Sequence, residues 1–397
     1  MNRAVERNTY YQKLYPTVNN EDLLEFRIPS NVKANMRLSD VLLRFIIKFP
    51  KSATTGVELV PENFLGHKQF SSVEVRLNGE AVSRRNCSNE YYMSAYFQYQ
   101  ANYSSDYITT SCSTVGLFDT GEFETDEYKS RPSLLTKGRR GLNDDHVYDI
   151  VMPIDSTIFT SNQNLPTNTP IEISFERAQS RSSSTVAMDK DTSNIPGIFT
   201  LDDTFLLVPY VIDEEMQQSE QMAVSKPIKL KYDDYSINRF NIPKDSPNVR
   251  LANLLAGPLP QKIFYGITEL ESFSGSFKKS STIFKPHGVK KMTLYVDGNV
   301  LSGFPLHVED NAIALPYVRF QQNTNRFMNC YSSRTLQQED FKKYHFLYSA
   351  SLDPESSGSL TFEFDFNTTP DKDLVLIVCG VYERTLEIDS FRNFKHV

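Results

Sequence analysis

The sequence predicts an all-β protein built from two antiparallel β-sandwiches in tandem. Three observations support this prediction. Many short runs alternate apolar and polar residues, Asn-Gly or Asp-Gly pairs follow such runs, and segments of the first half recur in the second half in the same order. Alternation with a period of two is typical of strands that bury one face. A parallel βαβ order would need a helix after most strands, and helical stretches are scarce in this chain.

The strands are predicted from the alternating runs in chain order. In the run from Leu42 to Phe49 every second residue is apolar, and Val73 to Leu77 shows the same period before the pair Asn78-Gly79. Both central residues of a two-residue hairpin need positive φ, so an Asn-Gly pair indicates a hairpin. The other predicted strands are 147–152, 171–175, 205–211, 360–366 and 374–381, and helices are predicted at 90–99 and 334–343.

Four segments of the first half are echoed in the second half. The matched pairs are 25–29 with 239–243, the hairpin 73–83 with 292–302, 171–175 with 360–364, and 206–209 with 375–378. One such match would mean little, because alternating strands are common. Their shared order indicates a duplicated β domain. The spacing between matched segments shrinks along the chain, because the first copy has longer loops at 103–145 and 180–196.

These features divide the chain into three parts. We predict an N-terminal arm at 1–20, a first sandwich at 21–215 and a second sandwich at 216–397, joined by a polar stretch near 213–225. The eight-stranded jelly roll is the type of sandwich that accommodates long loops. The residues alone support tandem sandwiches and leave the strand connectivity open.

Composition and charge argue against several classes of protein. Aromatic residues make up 12% of the 397 residues, which argues against a largely disordered chain. The formal net charge is -7, so a basic surface for nucleic acid is not expected. No apolar run approaches the roughly 18 residues that a membrane-spanning helix needs.

The cysteine count and the N-terminal residues predict a reducing compartment inside the cell. Residues 1–20 lack the apolar core of a secretory signal. The four cysteines are too few and too scattered for a disulfide framework: Cys87, Cys112, Cys330 and Cys379. We expect Cys379, inside an apolar strand run, to be a small buried side chain.

No pattern for catalysis or cofactor binding is found. The sequence lacks the glycine-rich phosphate loops and the Gly-x-Ser-x-Gly turn of serine hydrolases. No two histidines lie within five residues of each other, and neither half has the His-x-His of a two-domain cupin metal site: His67, His146, His287, His307, His345 and His396. We therefore predict that the protein is not an enzyme, with no catalytic, cofactor-binding or metal-binding residues.

Three remaining features have plain structural explanations. The acidic stretch 119–127 lacks the spacing of a calcium loop. The basic spot 137–141 does not follow a strand, and we expect it at a loop tip. The aromatic residues of 90–99 have no interleaved Lys or Arg, so they predict core packing instead of a base-stacking surface.

Several longer segments resemble the double jelly-roll major capsid proteins of Polinton/Maverick elements and the related adintoviruses. The segments are FSSVEVRLNG at 70–79, LLAGPLPQKIFYG at 254–266, LYVDG at 294–298 and YERTLEIDSFRN at 382–393. They follow the order of the family from about residue 20 to the end of the chain. None is a catalytic motif, so the resemblance depends on their combination.

The resemblance implies two eight-stranded antiparallel jelly rolls with a few short helices in loops. It implies a major capsid protein that forms homotrimers, which act as pseudo-hexameric capsomers in an icosahedral shell around double-stranded DNA. The implied partners are other copies of the chain, neighbouring capsomers and a minor capsid or penton protein. The implied location is the virion capsid, with no sequence-specific contact to nucleic acid. Residues 1–20 resemble capsid arms that become ordered only on assembly.

Other functions stay open at this point. A tandem β-sandwich that binds a ligand such as a carbohydrate would have a similar sequence pattern. A minor capsid protein usually carries one jelly roll, and the internal repeat argues against it. A plain disordered tail explains residues 1–20 as well as a capsid arm does.

Overall fold

The computed structural model describes residues 9–30, 34–49, 59–82, 90–102, 146–166, 169–178, 185–187, 199–212, 227–276, 279–308, 313–324, 338–353, 357–389 and 393–396. The backbone in these ranges is mostly extended, as the alternating runs predict. The predicted loop 103–145, the boundary at 215/216 and the residues Cys87, Cys112 and Cys330 lie outside the described residues.

The elements of the first half end at residue 211. The strands are β1 Thr9–Leu14, β2 Val18–Asn19, β3 Leu23–Ile28, β4 Asn35–Arg37, β5 Leu42–Phe49, β6 Leu59–Pro61, β7 Phe70–Leu77, β8 Glu80–Ala81, β9 His146–Pro153, β10 Asn164–Pro166, β11 Ile171–Arg177, β12 Thr185–Ala187 and β13 Leu201–Val211. Helix α1 spans Glu90–Asn102, and short 3-10 turns span Leu38–Asp40, His67–Gln69 and Thr157–Thr160.

The elements of the second half begin at residue 228. The strands are β14 Ile228–Ile242, β15 Asn248–Leu251, β16 Ala256–Pro258, β17 Lys262–Glu269, β18 Val289–Val296, β19 Asn299–Val300, β20 Leu306–His307, β21 Leu347–Ser351, β22 Ser357–Phe366, β23 Leu374–Ile388 and β24 Phe394–His396. The helices are α2 Leu270–Ser274, α3 Ala314–Asn323 and α4 Gln338–Tyr344.

Each half is a sandwich of two antiparallel sheets. In the first sandwich, sheet 1 has the order β10-β4-β13-β5-β9 with β1 on the opposite edge of β13, and sheet 2 has the order β2-β3-β11-β7-β8. In the second sandwich, sheet 3 has the order β14-β23-β17-β21 with β24 on β23, and sheet 4 has the order β15-β22-β18-β19 with β16 and β20 attached. β6 and β12 form a separate pair. All pairs of strands are antiparallel, which confirms the predicted fold class.

The core of each sandwich forms where the apolar faces of its two sheets meet. The Phe45 ring of β5 contacts the Phe70 ring of β7 edge-on, with centroids 5.8 Å apart. In the second sandwich, Tyr265 of β17 meets Phe362 of β22 with centroids 4.7 Å apart. Edge-to-face pairs at such distances are favoured by the charge distribution of aromatic rings. Each half therefore has its own interior between two sheets.

The two predicted hairpins have the expected turns. Asn78 and Gly79 have φ of 50° and 83°, and Asp297 and Gly298 have φ of 48° and 80°. Positive φ at both central residues matches the right-handed twist of the flanking strands. The turns join β7 to β8 and β18 to β19, which confirms this part of the repeat.

Three of the four repeated segments lie in equivalent strands. The remaining match, of 25–29 with 239–243, is wrong. β7, β11 and β13 have the sheet positions of β18, β22 and β23. The segment 25–29, however, lies in β3 beside β11 in sheet 2, whereas 239–243 ends β14 beside β23 in sheet 3. The counterpart of β3 is β15, and that of β14 is β1. A phenylalanine and an isoleucine before a proline suit the end of any half-buried strand, so this pattern does not distinguish strands.

The structure confirms one predicted helix, contains a helix in the described part of the other, and adds two more. α1 coincides with the prediction at 90–99, and α4 covers the described part of 334–343. The sequence analysis missed α3, whose Pro316 lies in the first turn, where a missing backbone N–H does not break the helix. It also missed the single-turn helix α2.

The described part of the N-terminal arm contains strands β1 and β2. All six residues of β1 pair with β13, from Thr9 opposite Val211 to Leu14 opposite Leu206. Pairing of this segment therefore needs no second copy of the chain. Of the predicted loop 180–196, the described residues Thr185–Ala187 form β12 against β6.

Candidate functional site

The histidines in the described ranges do not come together into a metal-binding or catalytic site. No three His, Cys, Asp or Glu side chains come close enough to hold a metal ion in the described ranges. His67 is buried, with Nε2 2.7 Å from Asp155 Oδ2, and His396 Nδ1 lies 3.4 Å from Tyr232 Oη. Burial lowers the pKa of His287 to about 4. His307 ends β20, and His146 begins β9.

Cys379 is fully buried in β23, and this burial raises the pKa of its thiol. A buried thiol with a raised pKa carries little thiolate and is a poor nucleophile. Among the described helices, none has the length and hydropathy to cross a membrane.

The most distinctive described feature is the junction between the two sandwiches. Helix α1 packs against β7 of its own sandwich and against β14 of the other. The Tyr96 ring stacks on Phe284 with centroids 5.2 Å apart, and Phe97 contacts the same ring at 6.1 Å. The Tyr96 hydroxyl lies 3.0 Å from Nδ1 of His345 in the second sandwich. The aromatic residues of α1 are buried, as predicted, and they also join the two sandwiches.

Gly266 makes room for the central ring of this junction. An added Cβ at Gly266 would lie 2.6 Å from Cδ1 of Phe284 and 2.8 Å from Cδ2 of Leu347. Phe284 is itself completely buried. The glycine in the middle of β17 is therefore needed for a close approach between a strand and a ring.

The loop after β9 covers the free edge of β14. The Asp233 N–H donates to Thr160 Oγ1 at 3.2 Å, and the same hydroxyl lies 3.1 Å from the Asp233 carbonyl oxygen. Gln163 Oε1 accepts from the Lys231 N–H at 2.8 Å. Two side chains of the first sandwich thus satisfy backbone groups that a further strand would otherwise pair. We call this arrangement the edge clamp.

A buried ion pair of the first sandwich accepts a hydrogen bond from the second sandwich. Lys68 Nζ lies 3.0 Å from Glu62 Oε2, and both side chains are completely buried. The Ser280 hydroxyl of the second sandwich donates to the same oxygen at 2.8 Å, and the Lys68 ammonium lies 5.2 Å from the Tyr92 ring centroid. A buried pair gains little net stability, but losing one partner leaves a costly charge. This network favours one arrangement of the sandwiches over others.

A small polar pocket lies beside the clamp. Its lining includes Glu90, Gln98, Asp155, Thr157 and Asp234. Burial raises the pKa of Asp234, although Nε of Arg384 lies 3.5 Å from its Oδ2 and opposes the shift. The pocket combines carboxylates with amide and hydroxyl groups of both sandwiches.

The outward faces of sheets 1 and 3 differ in coverage. On sheet 3, Phe264, Ile377 and Cys379 point outward and are buried. Five apolar residues that point outward from sheet 1 are half-buried: Leu42, Ile46, Val151, Phe205 and Leu207. Arg44 lies among them and forms ion pairs with Asp149, at 2.8 Å, and with Asp203.

Comparisons with known proteins relate the whole chain to one architecture. No protein-family model matches the sequence. A curated relative, the uncharacterized protein F54H12.2 of Caenorhabditis elegans, is 22% identical over 373 residues, which cover 88% of this chain and 84% of the relative.

Three solved structures align over nearly the entire chain. A chain of the Sputnik virophage structure has a TM-score of 0.65 at 11% identity, covering 99% of this chain and 88% of that one. The mavirus major capsid protein has a TM-score of 0.60 at 12% identity, covering 98% and 90%. The PBCV-1 virus capsid has a TM-score of 0.60 at 11% identity, covering 100% and 98%. The fold is a double jelly roll.

The sequence did not reveal most of the residues that join the two sandwiches. The edge clamp depends on one hydroxyl and one amide in a loop without a recognisable motif. Phe284 lies in a non-repetitive segment between α2 and β18. The available signal was Gly266 inside an apolar strand, since an isolated glycine in a strand often marks a close approach.

We predict that Gly266→Ala destabilises the protein by about 1–3 kcal/mol, because the new methyl group must displace the Phe284 ring from its stack with Tyr96. The free energy of unfolding in urea measures this effect. Lys262→Ala on the same strand is the control and should lower the free energy of unfolding by less. Equal costs for the two variants would contradict the close-packing argument.

We predict that Thr160→Val opens the edge clamp while leaving the side-chain volume nearly unchanged. The loss of one hydroxyl leaves the Asp233 N–H without its acceptor, which costs about 1–3 kcal/mol. Hydrogen exchange should accelerate at the Asp233 amide and not in the core strand β11. Thr385→Val is the control. Unchanged exchange at Asp233 would show that the hydroxyl does not hold the edge.

We predict that Asp234→Asn changes the pH dependence of stability. A carboxyl whose folded-state pKa is raised binds its proton more tightly in the folded protein than in the unfolded chain. Its contribution to the free energy of unfolding is therefore fully present below its unfolded pKa of about 3.9. That contribution is lost as pH rises through the raised pKa. The wild type should therefore gain stability relative to Asp234→Asn as pH falls from 7 to 4. A constant difference across thermal melts in this range would refute this prediction.

Proposed function

We propose that this chain is a major capsid protein that builds an icosahedral shell. The observation that carries the proposal is the whole-chain similarity to solved viral capsid proteins, in which both jelly rolls align in order. The folds are similar although the sequences are only about a tenth identical. This is expected for a structural protein, because a shell requires a particular shape and not particular reactive residues. We further propose that the protein is not an enzyme.

A trimer is the assembly that the duplicated fold favours. Each chain supplies two similar sandwiches, and a ring of three chains has six similar sides. Such a ring uses a heterologous contact, in which one surface meets a different surface of the next copy, and the ring closes when the rotation is 120°. The proposed capsomer is therefore a homotrimer with a pseudo-hexameric outline. We propose 21–215 and 216–397 as the two jelly-roll domains, preceded by an arm at 1–20.

The proposed shell encloses double-stranded DNA without sequence-specific contacts. A net charge of -7 is unsuited to neutralising phosphate, so other components would condense the genome. The proposed partners are neighbouring capsomers and a minor capsid or penton protein, and the proposed location is the virion capsid after synthesis in a reducing compartment.

The mass of the purified protein in solution tests this proposal. We expect a species of about three times the 45.5 kDa chain mass by light scattering, with hexagonal outlines in electron micrographs of the same fraction. Larger closed shells would also support it. A protein that stays monomeric at high concentration would contradict it and favour a tandem sandwich that binds a ligand.

A further inference from the structure

The polar pocket beside the edge clamp collects groups from both sandwiches. The loop after β9 contributes Asp155 and Thr157, helix α1 contributes Tyr91 and Gln98, and β14 of the second sandwich contributes Asp234. The cavity between them has a volume of about 40 Å³. A single water molecule needs roughly 10–15 Å³, so the pocket has room for a small ion together with one or two waters.

Two buried hydroxyl groups of the pocket lining have no hydrogen-bonding partner among the described residues. They are Thr157 Oγ1 and Tyr91 Oη, on residues that are only 5% and 3% exposed. Burying a hydroxyl without a partner is unfavourable, so such groups indicate something bound beside them. Thr157 also has a φ of 43°, a conformation that a β-branched residue adopts only where its surroundings impose it.

The carboxylates of the pocket are only partly compensated. Asp155 Oδ2 lies 2.7 Å from Nε2 of His67, and Asp234 Oδ2 lies 3.5 Å from Nε of Arg384. The pKa of Asp234 is raised all the same, because burial opposes its charge more strongly than Arg384 favours it. A carboxyl group that holds its proton in this way lacks positive charge nearby, and it attracts other cations for the same reason.

We propose that this pocket binds a calcium ion that links the loop after β9 to β14. The available ligands are oxygens, which Ca²⁺ prefers: the carboxylates of Asp155 and Asp234 and the hydroxyl of Thr157. Gln98 adds an amide oxygen, since its Nε2 donates to the Asp155 carbonyl at 3.2 Å and leaves Oε1 for the ion. These oxygens lie on a loop, a strand and a helix, an irregular set that suits Ca²⁺ better than the strict octahedron of Mg²⁺.

The affinity of such a site is modest. No three carboxylate, histidine or cysteine groups in the described part of the chain come close enough to hold an ion by themselves, so neutral oxygens and water complete the coordination. Calcium sites at the weak end of the range have dissociation constants on the order of 0.1–1 mM. The sequence predicted no metal-binding residues, because these ligands come from three separate segments without the spacing of a calcium loop.

A calcium ion here would strengthen the same contact as the edge clamp. Asp155 and Thr157 precede Thr160 in one loop, and Asp234 follows Asp233 in β14. An ion between Asp155 and Asp234 therefore holds the clamp loop against the strand edge that it covers. The inference needs only one chain and does not rest on the proposed function.

Calcium titration of the full-length protein tests the proposal. Isothermal titration calorimetry with calcium chloride measures binding, and thermal unfolding in calcium chloride or in a chelator at equal ionic strength measures stabilisation. Asp234→Asn and Thr157→Val each remove a ligand while keeping the shape of the side chain. Asp245→Asn makes the same change as the first variant at an exposed residue outside the pocket lining and is the matched control.

We expect the wild type to bind calcium and to unfold at a higher temperature once the calcium concentration is about tenfold above the dissociation constant, since a ligand of the folded state stabilises it. Asp234→Asn should bind at least about tenfold more weakly, because the charge of the ligands sets the affinity. Thr157→Val should also bind more weakly, and Asp245→Asn should behave as the wild type. Equal midpoints in calcium and in chelator, or equal calcium binding by all four proteins, would overturn the site. An equal response to magnesium would overturn the choice of calcium.

Hydrogen exchange of the wild type covers the case in which a variant does not fold. Calcium should slow exchange at the Asp233 and Asp234 amides, next to the proposed ion, and leave the core strand β11 unchanged. Exchange at Asp233 and Asp234 that does not respond to calcium would overturn the proposed link between the loop and β14.

Discussion

The arrangement of this molecule depends on one aromatic contact, in which Phe284 lies between Gly266 on one side and the rings of Tyr96 and Phe97 on the other. Two β-sandwiches joined by a linker would otherwise be free to adopt many relative orientations. A ring buried completely between a strand of one sandwich and a helix of the other removes that freedom. In the proposed capsomer this matters, because the angle between the two jelly rolls would determine the outline of the ring.

Polar groups at the junction add specificity to this apolar contact. The edge clamp and the Lys68–Glu62 pair with Ser280 each satisfy only one arrangement of the sandwiches. Misaligned sandwiches would leave a buried charge or unpaired backbone groups, and each of these costs more than the correct contact gains. The clamp also addresses a general problem of β proteins, since an uncovered strand edge such as that of β14 could pair with other chains.

The proposed role depends on the duplicated fold and its surfaces. The buried apolar residues of the two sandwiches and their junction form one continuous cluster, and the titratable groups with shifted pKa values owe those shifts mainly to burial or to contacts with charged partners. Cys379 illustrates this, because its raised pKa follows from its position inside β23.

The sequence by itself determined much of the local structure, because the alternating strands, the two hairpins and α1 follow from side-chain periodicity and from the backbone preferences of residues such as Asn78 and Gly79. It also indicated the duplication through the strands β7, β11 and β13 and their counterparts. It did not indicate α2 or α3. Tertiary structure decided the rest. It separated β3 from β14, which have nearly the same local pattern, since only hydrogen bonding to β11 or β23 distinguishes them. It also brought Thr160 next to Asp233 and Tyr96 next to Phe284, since residues far apart in the chain meet only when the sheets pack.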